Sequence, residues 1–161
     1  MISNARSTVL VVDDEPTLVA LVTRMLEPHG YSIVTATSGR EAIAIGESRR
    51  EGFDLLLTDL NMPEMTGRAL AAELRRTQLG LKVLYMTGYS DDLFGTQTQL
   101  ELHEAFVEKP ITSAGIRDAV SLHLYGTLTP PGLPGADPNG PAVPPPGPDA
   151  ITRLQRSPSR H

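Results

Sequence analysis

Asp54-Leu55-Leu56-Leu57-Thr58-Asp59-Leu60-Asn61-Met62-Pro63 is an apolar run, short enough for a strand, that ends on a carboxylate and passes straight into turn-forming residues. Thr8-Val9-Leu10-Val11-Val12 does the same before Asp13 and Asp14. Two further runs stop in the same manner: Val83-Leu84-Tyr85-Met86 at Thr87-Gly88, and Ala105-Phe106-Val107-Glu108 at Lys109-Pro110. Runs that are apolar without alternation are the mark of strands covered on both faces, as in a parallel sheet. If the strands are parallel, three acids, a hydroxyl and an ammonium meet at one edge.

The segments between these runs carry helical spacing. Leu18, Leu21, Val22, Met25 and Leu26 predict an amphipathic helix over about 15–28, with Pro16 in its first turn and Gly30 past its end. Tyr31 to Ala36 reads as a strand, Gly39 to Arg50 as a helix, about 67–78 as a helix on Leu70 and Leu74, and Thr112 to Leu124 as a closing helix on Ile116, Ala119 and Val120. Tyr89 to Glu104 is irregular, because Gly95 and the Thr96-Gln97-Thr98 run spoil a clean helix. Five strands alternating with helices predict an α/β fold with an open, doubly wound, five-stranded parallel sheet. Ligands of such sheets bind beyond the carboxyl ends of the strands, where strand order reverses.

Each strand-end residue also has a purely structural explanation. Asp14 before Glu15-Pro16 would make a helix N-cap, Asp59 to Pro63 a turn, Thr87-Gly88 a loop start and Lys109 a solvated lysine. Asp13 is harder to explain in that way. Four parallel strands each releasing a suitable side chain at one edge favour a site. Carboxylates held together repel and need a cation. Mg2+ suits two or three carboxylates with carbonyl and water ligands and takes a phosphate oxygen as well. Lys109 and Thr87 supply a point charge and a hydroxyl for the other phosphoryl oxygens. The mixture serves a transferring phosphoryl group attacked by one carboxylate.

Composition narrows the field. The 161 residues suit one domain. No cysteine is present, which excludes a disulfide framework and a thiolate zinc site and predicts a cytoplasmic protein. No secretory leader or run long enough to span a bilayer is evident. The net charge of −5, with Lys and Arg spread thinly, gives no basic stripe for nucleic acid. Residues 126–161 hold ten of the fourteen prolines and no aromatic residue, which predicts a Pro/Gly-rich disordered tail. The predicted organisation is therefore a flexible N-terminus over 1–6, a domain over 7–125 and the tail.

In order and spacing, Val11-Val12-Asp13-Asp14-Glu15, Leu57 to Gly67, Met86-Thr87-Gly88-Tyr89 and Val107-Glu108-Lys109-Pro110 resemble the response-regulator receiver domains of two-component signalling. The string Met86 to Asp92 is closest in style to receivers of hybrid sensor histidine kinases. The resemblance implies a flavodoxin-like (βα)5 fold with strand order 2-1-3-4-5. It further implies that Asp59 accepts a phosphoryl group from a phosphohistidine on a sensor histidine kinase or histidine phosphotransfer protein. Asp14, Asp59 and the Asn61 backbone carbonyl would bind Mg2+ directly, and Asp13 through water. Lys109 would bridge to the aspartyl phosphate, with a cis bond to Pro110. Thr87 would follow the phosphoryl group inward and draw Phe106 with it.

Phe106 lacks the phenolic hydroxyl common at its place in the family, so a switch there works through packing. The expected function is that of a stand-alone receiver, not an enzyme on other substrates, that signals to a downstream protein. Two alternatives are a degenerate receiver serving only as a binding module and an aspartyl-phosphate-forming phosphatase. The phosphatase pattern has a second Asp as general acid where this chain has Asn61. Tyr89, two residues beyond Thr87, is expected to slow loss of the phosphoryl group.

Overall fold

Apolar runs become strands and amphipathic runs become helices, and their order follows directly from the sequence. The computed structural model describes residues 6–88 and 103–126. The expectations for the first residues, for Tyr89 and most of the stretch to Glu104, and for the tail beyond Gly126 lie outside the described residues. The strands are β1 (Thr8–Val12), β2 (Ser32–Ala36), β3 (Leu55–Asp59), β4 (Lys82–Thr87) and β5 (Glu104–Glu108). The described helices are α1 (Pro16–Leu26), α2 (Gly39–Ser48), α3 (Gly67–Arg75) and α4 (Ser113–Tyr125). All strand pairs are parallel, in the order β2-β1-β3-β4-β5. This is the doubly wound order expected, and it reverses between β1 and β3.

The two-residue period of the strands sends alternate side chains to two cores. Val9 and Val11, Leu55 and Leu57, Leu84 and Met86 pack with Val19, Val22 and Leu26 of α1 and with Ile116 and Val120 of α4. Leu10, Val12, Leu56, Val83 and Tyr85 pack with Ala42 of α2 and Leu70, Ala71 and Leu74 of α3. Each fully buried Leu or Val contributes about 1.5–3 kcal/mol. The sheet is therefore the layer shared by both cores, and its strand ends are held from both sides.

Element ends differ from the sequence expectation for local reasons. The helix expected to reach residue 28 ends at Leu26, because Pro28 has no N–H to continue the ladder, and the chain tightens into a 3-10 turn over Glu27–His29. Gly30 closes that turn at φ 86°, in the left-handed region glycine tolerates. Helix α3 ends at Arg75, where the Thr77 N–H turns back to the Leu74 carbonyl at 3.3 Å. Asp59 and Thr87 are the last residues of their strands, so both inherit the alignment of the sheet.

Capping fixes α2. Ser38 Oγ accepts the Glu41 N–H at 3.1 Å, and Glu41 Oε2 accepts the Thr37 N–H at 3.0 Å. Ser38→Ala is expected to lower the unfolding free energy by about 1 kcal/mol, read as a lower urea midpoint at unchanged slope. At the edge opposite the acids, the Lys82 ammonium donates to the Leu124 carbonyl at 2.8 Å and His123 Nε2 to the His103 carbonyl at 2.9 Å. Ser7 Oγ bonds the Tyr125 hydroxyl. Among the described residues no helix is long and apolar enough to cross a membrane.

Candidate functional site at the carboxyl edge of the sheet

Register places the two buried acids abreast. Val12 pairs with Thr58, so Asp13 and Asp59 are level, and each continues the parity of the strand residues that face α1 and α4. Asp13 is fully buried and Asp59 is 7 % exposed. Asp13 Oδ1 accepts the Glu15 N–H at 2.9 Å, which fixes its carboxylate at the start of α1. The N-cap position of α1 is Glu15, with no side-chain cap bond, so the capping explanation for Asp14 does not hold. Asp14 is exposed and offers a carboxylate oxygen within 4.8 Å of oxygens from Asp13 and Asp59.

Lys109 arrives from the end of β5. Its N–H donates to the Thr87 carbonyl at 2.8 Å, and its bond to Pro110 is cis, as the resemblance to receiver domains implied. The ammonium lies 3.2 Å from Asp59 Oδ1 and 3.4 Å from Asp13 Oδ2. Burial pushes the Asp59 carboxyl above its ordinary pKa, Lys109 pulls it back, and Asp13 adds to the rise. Burial likewise raises Asp13, against the Glu15 N–H and Lys109. Burial works against the Lys109 charge, but Asp59 and Asp13 together outweigh it and hold the ammonium above its usual pKa. One cation therefore serves two buried carboxylates, and Asp14 adds a third negative group beside them.

The loop after β3 closes tightly against the site. The Leu60 N–H donates to the Met86 carbonyl at 3.1 Å, and the Gly67 N–H returns to the Leu60 carbonyl at 2.9 Å. Glu64 takes φ 67° within this loop. A methyl on Gly67 would collide with the Asp59 carbonyl oxygen and lie 3.1 Å from Thr58 Cγ2. The obstacle is backbone, so the helical preference for Ala over Gly does not compensate. Gly67→Ala is expected to cost about 1–3 kcal/mol in chemical denaturation, because the Asp59 backbone must shift to admit the methyl.

The remaining sequence candidates lie around this centre. Asn61 is exposed, two residues beyond Asp59. Thr87 ends β4 paired with Glu108, one step beyond the row of Asp59, Met86 and Val107. Phe106 does not join the acids; it packs against Tyr85, with ring centroids 5.5 Å apart and a tilt of 36°. Sequence reasoning missed what surrounds that ring pair. The fully buried Tyr85 donates its hydroxyl to Glu104 Oε1 at 2.8 Å, and Arg75 Nη1 donates to the same oxygen at 3.0 Å. A signal was present: a tyrosine among the buried apolar residues of β4 needs a polar partner, and Glu104 opens the neighbouring strand.

The acidic pocket is compatible with Mg2+ and phosphorylation. Three hard oxygen donors within 4.8 Å of one another, two of them on buried residues, match the donor set of that ion and have a residual negative charge after Lys109 is counted.

Comparison with known proteins agrees with this geometry. The family model described as response regulator receiver domain matches residues 9–121. The chain is 35% identical over 106 residues to the sensor kinase CckA of Brucella abortus, covering 66% of this chain and 11% of that protein. It is 35% identical over 121 residues to the transcriptional regulatory protein GlrR of Escherichia coli, covering 73% of this chain and 26% of that protein. The chain thus spans about a tenth to a quarter of the length of these relatives. Among solved structures, the receiver domain of the hybrid histidine kinase CckA matches with TM-score 0.63 and 26% identity over 73% of this chain and 99% of that one. The Vibrio cholerae chemotaxis protein CheY4 matches with TM-score 0.62 and 27% identity over 74% and 100%. The fold, the register of the acidic edge and the match over residues 9–121 agree, and the chain belongs to the response regulator receiver domain family.

Proposed function

We propose that Asp59 is the phosphoacceptor of this receiver, taking a phosphoryl group from a phosphohistidine on a sensor histidine kinase or histidine phosphotransfer protein. The observation that carries the proposal is the Lys109 ammonium, 3.2 Å from Asp59 Oδ1 and 3.4 Å from Asp13 Oδ2. Asp59 is the less enclosed of the two buried acids, with a side chain 10% exposed against 1% for Asp13. In the transfer, an Asp59 carboxylate oxygen forms the new bond to phosphorus while the bond from phosphorus to the histidine nitrogen breaks. Lys109 is placed to accompany the charge that arrives on the phosphoryl oxygens. Asp13 stays fixed by the Glu15 N–H and holds the other side of the ammonium.

Asp13, Asp14, Asp59 and the Asn61 carbonyl would hold Mg2+, which supplies charge neutralisation for the attacking carboxylate and the phosphoryl group. Thr87 offers its hydroxyl from the end of β4, and Phe106 responds through packing against Tyr85. The resulting change is read by a protein partner, which fits a folded part without a basic stripe. Incubation with acetyl phosphate and Mg2+ is expected to add one phosphoryl group per chain, and EDTA to prevent it. Uptake unaffected by EDTA would contradict the proposal.

A further inference from the structure

Glu104 is a carboxylate with a side chain only 3% exposed, far too enclosed to stay ionised without partners. It accepts the Tyr85 hydroxyl at 2.8 Å and Arg75 Nη1 at 3.0 Å on one oxygen, and Arg68 Nη1 lies 3.9 Å from the other. Arg75 also donates Nε and Nη2 to the Leu81 carbonyl at 3.2 and 3.1 Å. One guanidinium thus ties the last turn of α3 to the residue before β4 and to the first residue of β5. The Arg68 guanidinium lies over the Tyr85 ring, 5.4 Å from its centroid, while Phe106 stands 5.5 Å away. A surface ion pair would be worth little, but a buried, doubly donated carboxylate fixes the geometry of everything bonded to it.

The place of this network in the sheet gives it a further use. Tyr85 is opposite Phe106 in the β4–β5 register and two residues before Thr87, so Thr87 shares its parity on β4. The last two residues of that parity on β4 are therefore the ring held by Glu104 and the hydroxyl proposed to follow the phosphoryl group. From this placement we infer that Glu104 and Arg75 are positioning residues: through Tyr85 and Phe106 they hold the end of β4, and Thr87 with it, in the unphosphorylated arrangement. The phenolic hydroxyl absent from Phe106 is supplied across the strand pair by Tyr85, where it acts as a restraint on the resting state. The inference rests on the proposed role of Asp59 and Thr87, and it adds the element that biases the equilibrium between the two states.

The test uses the full chain and two variants. Tyr85→Phe removes one hydroxyl and keeps the ring; Glu104→Gln keeps an acceptor but removes the charge. In methyl NMR without phosphodonor or Mg2+, each variant is expected to move the Thr87 methyl signal part of the way toward its position in the phosphorylated parent. The rate of phosphorylation by acetyl phosphate is expected to rise about fivefold, the effect of losing one buried hydrogen bond from the resting state. A lowered melting temperature with the Thr87 signal and the rate both unmoved would show a structural role alone and overturn the inference. If Glu104→Gln does not fold, Tyr85→Phe decides by the same two readouts. Failure of the parent to take up phosphoryl overturns the site assignment instead, whereas a shift of the Thr87 methyl signal in phosphodonor-free Tyr85→Phe, read against the resting parent alone, reports the coupling independently.

Discussion

Asp59→Asn is expected to take up no phosphoryl group from acetyl phosphate and Mg2+ under conditions in which the parent is expected to be fully labelled. Asn is nearly isosteric but offers an amide in place of a nucleophilic carboxylate oxygen, so the chemistry is lost while the shape is kept. The neighbouring acids do not substitute. Asp13 is fully buried, with Oδ1 engaged by the Glu15 N–H and Oδ2 by Lys109. Asp14 is exposed and forms no ion pair among the described residues, whereas the Lys109 ammonium lies 3.2 Å from Asp59 Oδ1. The loss is not one of folding. Burial holds the Asp59 pKa above its ordinary value, which means that the folded state disfavours the ionised form. Above that pKa a neutral isostere removes the penalty, and the variant in EDTA is expected to be at least as stable as the parent in urea denaturation. Labelling of the variant at the parental level would contradict the assignment.

Lys109→Met is expected to give the second large effect, with a dependence on Mg2+ as its signature. Removing the ammonium leaves Asp59 and Asp13 buried without the cation that lies 3.2 and 3.4 Å from them. Breaking a fully buried pair on one side costs about 3–5 kcal/mol, and with Lys109 29% exposed the lower end, about 3 kcal/mol, is expected in EDTA. Mg2+ held as proposed by Asp13, Asp14 and Asp59 would neutralise the same carboxylates as Lys109, so saturating Mg2+ is expected to shrink that deficit and to stabilise the variant more than the parent. Urea midpoints of both proteins, each in EDTA and in Mg2+, give the four values needed. An equal deficit in both conditions would show that the ion and the lysine act at separate places.

Much of this site is visible in the sequence because its residues stand at strand ends. Asp13, Asp59, Thr87 and Lys109 each follow an apolar run, and a parallel sheet in regular register aligns such ends whatever the details of packing. The same logic makes the two cores legible, since parity along each strand assigns Leu10 to one and Val11 to the other. Asp14 shows where local rules run out: Asp before Glu-Pro suits an N-cap, yet Glu15 takes the N-cap position and Asp14 is left beside the other acids. Of the Tyr85–Glu104–Arg75 network only the need of Tyr85 for a polar partner is legible, because its members come from β4, β5 and the end of α3. Its bonds depend on the order in which those elements are packed. Gly67 also needs the fold: nothing in its neighbours announces that the Asp59 carbonyl occupies the space of its missing methyl.

The central claim is that one carboxylate, Asp59, is the nucleophile, while the acids beside it hold charge. It is tested most directly by locating the phosphoryl group. The protein is incubated with acetyl phosphate and Mg2+, the acyl phosphate is reduced with sodium borohydride, and the modified residue is identified by peptide mass spectrometry. Conversion of Asp59 to homoserine, with Asp13 and Asp14 unchanged, is the predicted result; conversion at Asp13 or Asp14 with Asp59 intact would contradict it.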